Sequence, residues 1–126
     1  MLALVVDDSR AMRMILRRIM SEVGYDVVDA ADGQEALDVL EACPKDARPD
    51  VALIDWNMPN VDGLELVTRI RKNPEWRSIT LMMVTTESEY DQIVRALAAG
   101  AHEYVIKPFT PDAIVEKLQL LGLVAA

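Results

Sequence analysis

The chain has 126 residues, 52% of them hydrophobic and 27% charged, which suits a single folded core and excludes a disordered segment. Its formal net charge is −8, from 21 acidic against 13 basic residues, and that balance opposes binding to nucleic acid or an anionic membrane, where clustered Lys and Arg must neutralise phosphate. No apolar run approaches the roughly 20 residues that cross a bilayer. The start Met1 to Asp8 lacks the long apolar stretch of a signal peptide, and the single Cys43 cannot form an internal disulfide. A one-domain, soluble, cytoplasmic protein spanning 1–126 is the expectation.

In chain order, Leu2 to Val6 is continuously apolar, as expected of a strand covered on both faces of a parallel sheet. Ser9 can cap a helix whose apolar positions are Met12, Ile15, Leu16, Ile19 and Val23, with Arg10, Arg13 and Arg17 on its solvent side and Gly24 as its stop. Asp26 to Ala30 reads as a second strand. Asp32 then caps a helix bearing Ala36, Leu37 and Leu40, which ends before Pro44. After a polar connection from Pro44 to Asp50, Val51 to Ile54 is a third strand. A loop from Asp55 to Gly63 leads into a helix from Leu64 to about Lys72. Thr80 to Val84 is a fourth strand, Tyr90 to Ala99 a fourth helix and Glu103 to Ile106 a fifth strand. Pro111 opens a last helix running to about Leu121, at a position where its missing N–H is not needed. This strict alternation implies right-handed βαβ units and an open parallel α/β sheet with helices on both faces.

Ligands of such sheets bind beyond the carboxyl ends of the strands. Asp7 and Asp8 follow the first strand, Asp55 the third, Thr85 and Thr86 the fourth, and Lys107 the fifth. Each doublet alone reads as a capping or surface turn, but together they converge on one rim. Two carboxylates about 4 Å apart repel by roughly 4 kcal/mol at an effective dielectric near 20. Either some of these acids are protonated or a divalent cation sits among them, and all-oxygen ligands in a small open site suit Mg²⁺. A carboxylate is also a nucleophile towards phosphorus, and phosphoryl transfer needs a metal and fixed positive charge. Asp55 is thus the candidate nucleophile, Asp7 and Asp8 the metal cage, Lys107 the counter-charge, and Thr85 or Thr86 a hydrogen-bond donor to the new phosphate.

The segments Val5-Val6-Asp7-Asp8-Ser9, Ile54-Asp55-Trp56-Asn57-Met58-Pro59, Asp62-Gly63, Val84-Thr85 and Tyr104-Val105-Ile106-Lys107-Pro108-Phe109 carry a resemblance. The chain resembles the receiver domain of bacterial two-component response regulators, most of all single-domain chemotaxis regulators, over nearly its whole length. That resemblance implies a flavodoxin-like (βα)5 fold with strand order 2-1-3-4-5, the order that chemotaxis regulators share with flavodoxin. It further implies that Asp55 accepts a phosphoryl group from a histidine kinase. Asp8, Asp55 and the backbone carbonyl of Asn57 would ligate Mg²⁺, with Asp7 acting through water. Thr85 and Tyr104 would form the switch, Lys107 would pair with Asp55 before phosphorylation and with the phosphate after it, and the Lys107-Pro108 bond would be cis. Asn57 and Glu87 would tune dephosphorylation, with identities similar to those of fast-resetting regulators. The output surface would be the face from Tyr90 to Leu121, engaging a separate protein target because no output domain follows it in this sequence.

Two other functions fit the same residues. A Mg²⁺-dependent aspartyl phosphatase would use the Asp55 chemistry on outside substrates, but such hydrolases usually carry a second Asp where Asn57 stands here. A phosphorylation-independent docking receiver would not need the intact set Asp7, Asp8, Asp55, Thr85 and Lys107. Outside the rim, the lone His102 reads as a solvated loop residue, the methionines Met12, Met14, Met20, Met58, Met82 and Met83 as core or loop filling, and Arg17-Arg18 as a solvated face. Cys43 reads as a half-buried residue near a helix end, and Trp56 as a fluorescent reporter of the metal.

Overall fold

The computed structural model describes residues 1–125. Five strands, β1 (Leu2–Val6), β2 (Asp26–Ala30), β3 (Val51–Ile54), β4 (Thr80–Thr85) and β5 (Glu103–Ile106), alternate with five helices, α1 (Arg10–Glu22), α2 (Gly33–Ala42), α3 (Gly63–Lys72), α4 (Tyr90–Ala99) and α5 (Pro111–Leu120). All neighbouring strands pair in parallel, in the order β2-β1-β3-β4-β5. The expected fold is the one observed.

Period-two alternation divides each central strand between two cores. Ala3, Val5, Val51, Leu53, Met82 and Val84 pack with Leu16, Ile19 and Met20 of α1 and with Ile114 and Leu118 of α5. Leu4, Val6, Ala52, Ile54, Leu81 and Met83 pack on the other face with α2, α3 and Ala96 of α4. Because both faces are covered, β1 and β3 had to be continuous apolar runs rather than alternating ones.

The helix starts follow local chemistry. The side chains of Ser9, Asp32, Asp62 and Thr110 accept hydrogen bonds from the backbone N–H of Met12, Glu35, Glu65 and Ala113. Each relieves one of the orphan donors of a first turn. A 3₁₀ turn, Pro74–Trp76, stands between α3 and β4, where no element was expected. It is held by the buried Trp76 and by the Asn73 side chain accepting from Glu75 N–H at 3.0 Å.

Helix α1 departs from its expected faces. Ile15, expected in the core, is 48% exposed, and Met14, expected as core or loop filling, is 62% exposed. Arg13, expected in solvent, turns inward: it donates to the backbone oxygen of Asp7 at 2.8 Å and meets Asp29 at 3.5 Å. Helical spacing alone leaves the flank of the stripe undecided, and a charged acceptor at the strand end draws Arg13 across it.

Candidate functional site

The rim begins with the sheet itself. Asp7, Asp55 and Lys107 each follow the last residue of a strand, and Thr85 is the last residue of β4. Main-chain bonds lock these positions together: Asp55 N–H donates to Val6 at 2.9 Å, and Lys107 N–H donates to Thr85 at 2.8 Å. Ligand atoms of Asp7, Asp8 and Asp55 lie within 4.8 Å of one another, although 48 positions separate the outermost two. Asp7 and Asp55 are buried, whereas Asp8 is exposed.

Helix α3 closes one wall. Gly63 N–H donates to the Trp56 carbonyl at 2.8 Å. A Cβ on Gly63 would stand 2.2 Å from the Asp55 carbonyl oxygen, so only glycine lets the helix start this close to the Asp55 loop. Trp56 is itself buried beneath the Arg95 guanidinium of α4, which lies 6.0 Å from its ring centroid.

Lys107 Nζ donates to Asp7 Oδ2 at 2.7 Å and lies 3.6 Å from Asp55 Oδ2. The expected pairing with Asp55 is therefore the longer of two, and Asp7 takes the hydrogen bond. The second oxygen of Asp7 accepts from Ser9 N–H at 2.9 Å, so both its oxygens are occupied by protein donors. Asp55 Oδ1 accepts from Trp56 N–H at 2.8 Å. Burial pushes the Asp55 carboxyl above its usual range, against the pull of the Thr85 hydroxyl and Lys107, and neighbouring Asp7 pushes it further up. One ammonium among three acids leaves negative charge uncompensated, which is the electrostatic demand that a divalent cation meets. The all-oxygen donor set of Asp7, Asp8 and Asp55 fits a hard cation such as Mg²⁺.

Of the two threonines, Thr85 is fully buried and Thr86 is exposed, so the hydroxyl at the rim is that of Thr85. It accepts from Glu87 N–H at 3.3 Å. Tyr104 O–H donates to the Glu87 carbonyl at 2.6 Å. The Glu87 carboxylate accepts from the Asn57 side-chain amide and, at 2.8 Å, from Gln92 Nε2. These two bonds hold it below the usual carboxylate range. The four residues expected to tune or switch the site are thus joined through Glu87. The Lys107-Pro108 bond is cis, as expected.

The response regulator receiver domain model matches residues 3–119. The chain belongs to the response regulator receiver family. It is a phosphoacceptor response regulator of two-component signal transduction, a signalling protein rather than a conventional enzyme. The receiver is 42% identical over 119 residues to the chemotaxis protein CheY1 of Helicobacter pylori, covering 94% of each chain. It is 42% identical over 117 residues to the CheY homolog of Campylobacter jejuni, covering 92% of this chain and 88% of that one. The solved structure of the chemotaxis response regulator CheY4 of Vibrio cholerae is similar with a TM-score of 0.85 at 34% identity, over 95% of this receiver and 97% of that chain. Receiver domains of this type interact with histidine kinases and downstream targets and bind Mg²⁺ in an acidic pocket.

Gln92 and Arg95 are residues of this region that sequence reasoning missed. Nothing in the amino-acid pattern distinguishes them from other polar positions of α4. His102 is exposed in the loop before β5, as expected, yet its ring is not free. His102 Nδ1 accepts from Leu81 N–H at 3.1 Å and meets Arg71 Nη2 at 3.1 Å, and burial followed by the Arg71 charge lowers its pKa. Among the described residues, no helix is long and apolar enough to cross a membrane.

Proposed function

We propose that residues 1–126 act as one receiver in which Asp55 is the phosphoryl acceptor and that the output is a change in protein binding, in chemotaxis as in the relatives named above. The observation that carries this reading is the meeting of Asp7, Asp8 and Asp55 within 4.8 Å, with Lys107 beside two of them. Asp8, Asp55 and the Asn57 carbonyl would hold Mg²⁺, with Asp7 reaching it through water. When bound, the ion supplies positive charge to the oxygens of the phosphoryl group in transfer.

Asp55 Oδ1 is restrained by the Trp56 N–H, which leaves Oδ2 as the attacking atom. Its lone pair forms the new P–O bond while the N–P bond of the kinase phosphohistidine breaks. The departing electron pair returns to the imidazole, which takes a proton. Lys107 offsets charge on the incoming phosphate, and the Thr85 hydroxyl turns from Glu87 N–H to donate to a phosphate oxygen. That exchange loosens the Glu87 loop and with it the Tyr104 tether, biasing the packing of α4. On the face from Tyr90 to Leu121, the exposed apolar side chains Tyr90, Val94, Leu97, Ile106 and Leu120 offer a surface for a downstream protein in the cytoplasm.

The test is intact mass after incubation with acetyl phosphate and Mg²⁺. One acid-labile phosphoryl group should appear, and none should appear in Asp55→Asn or after chelation of the metal. Repeated turnover of an added phosphomonoester, or stoichiometric labelling that survives Asp55→Asn, would overturn the reading.

A further inference from the structure

Glu87 is the node through which the Asp55 loop, the end of β4 and the start of α4 are joined, and its carboxylate reaches across to Asn57, two residues beyond Asp55. Asn57 is exposed, and Glu87 is only half-buried. Immobilising a long side chain such as Glu costs more rotamer entropy than one partly solvated hydrogen bond offsets. The Asn57 contact alone does not hold Glu87 in one place; a second anchor is needed. Gln92 is that anchor. Its Nε2 donates to Glu87 Oε2 at 2.8 Å, and its Oε1 accepts from Glu89 N–H at 3.3 Å at the start of α4. A glutamine amide does both jobs at once, because it carries a donor and an acceptor on the same rigid group. With the Asn57 amide nitrogen engaged by Glu87, its oxygen is left as an acceptor on the residue two positions after Asp55.

We propose that Gln92 is a positioning residue for loss of the phosphoryl group: through Glu87 it fixes the orientation of the Asn57 amide, and so sets the rate at which water hydrolyses phosphorylated Asp55. In that step a water oxygen bonds to phosphorus and the P–O bond to Asp55 breaks. The bonding pair stays on the carboxylate, a water proton passes to solvent, and inorganic phosphate leaves. The Asn57 amide oxygen accepts a hydrogen bond from the attacking water and orients its lone pair. Gln92 touches neither water nor phosphate. This inference rests on the proposed role of Asp55.

The experiment loads the full chain with acetyl phosphate and Mg²⁺, removes the donor, and follows the phosphorylated fraction by intact mass. Gln92→Glu keeps the acceptor for Glu89 N–H but cannot donate to Glu87 and repels it. Its decay should slow about five-fold, the rate equivalent of one ordinary hydrogen bond, with the thermal midpoint unchanged. Exchanging the two groups in Glu87→Gln/Gln92→Glu restores an amide-to-carboxylate bond in reversed sense and should return the decay towards the parent rate. Decay of Gln92→Glu at the parent rate overturns the inference while leaving the Asp55 reading intact. Slow decay with a lowered thermal midpoint and no recovery in the exchanged pair also overturns it, since that is the signature of a structural role alone. Failure of the parent to take up phosphate overturns both.

Discussion

The two ends of the sheet solve opposite problems. At the amino end, the Arg71 guanidinium donates to the carbonyls of Gly100, Arg77 and Ile79 at 3.0, 3.1 and 2.8 Å and meets the His102 ring. That ring in turn accepts from the backbone of β4. There α3, the entry to β4 and the turn before β5 are joined by one cation. At the carboxyl end, three acids share one ammonium, and burial raises the Asp55 pKa. One end is clamped by a shared guanidinium and is structural; the other holds charge that a cation and a phosphate relieve. The difference teaches where this small protein places its stability and where it gives some up for function.

Truncation at the amino end should give the largest loss of stability. Arg71→Ala leaves three main-chain carbonyls and the imidazole without their shared partner, and should cost about 3 kcal/mol by urea unfolding with or without Mg²⁺. A value within error of the parent would mean that the amino end is not a structural clamp. At the other rim, Mg²⁺ at ten times its dissociation constant should stabilise the parent by about 1.4 kcal/mol, as any ligand of the native state does. Asp55→Asn should remove most of that gain while raising the stability of the metal-free protein.

Acid should move the two ends in opposite directions. The folded His102 pKa is depressed, so the unfolded chain takes up that proton first. Its contribution is complete above the ordinary imidazole value of about 6.5 and is lost as pH falls through the folded value. The folded Asp55 pKa is raised, so its charge costs stability at neutral pH, and in the metal-free protein that cost fades as pH falls through the folded value. Unfolding free energies between pH 7 and pH 5 should show the first effect in the parent, and its absence in His102→Asn. The smallest effect belongs to Arg95. Arg95→Ala should cost no more than about 0.5 kcal/mol, the scale of an exposed cation–π contact, yet change the Trp56 emission. An unaltered spectrum would show that the stacking does not persist in solution.

Much of this was open to a reader of the sequence. The runs Leu2 to Val6 and Val51 to Ile54 could be buried on both faces only in a parallel sheet, and the strand-end rule then brought Asp7, Asp8, Asp55, Thr85 and Lys107 to one rim. Strand order did not follow from alternation and came from family resemblance. Other features had no local signal. The same amino-acid pattern is consistent with Arg13 in solvent or turned onto Asp7, and with Lys107 bonded to Asp55 or to Asp7.

What the sequence by itself determined was the set of elements, because hydrophobic period and capping chemistry act over a few neighbouring residues. What only the tertiary structure decided was which donor meets which acceptor. Gln92 reaches Glu87, Glu87 reaches Asn57, and Arg71 reaches His102 across separations of 5, 30 and 31 positions. Hydrogen bonds and ion pairs depend on tenths of an ångström between side chains that the backbone must first bring together, and no pattern along the chain encodes that distance.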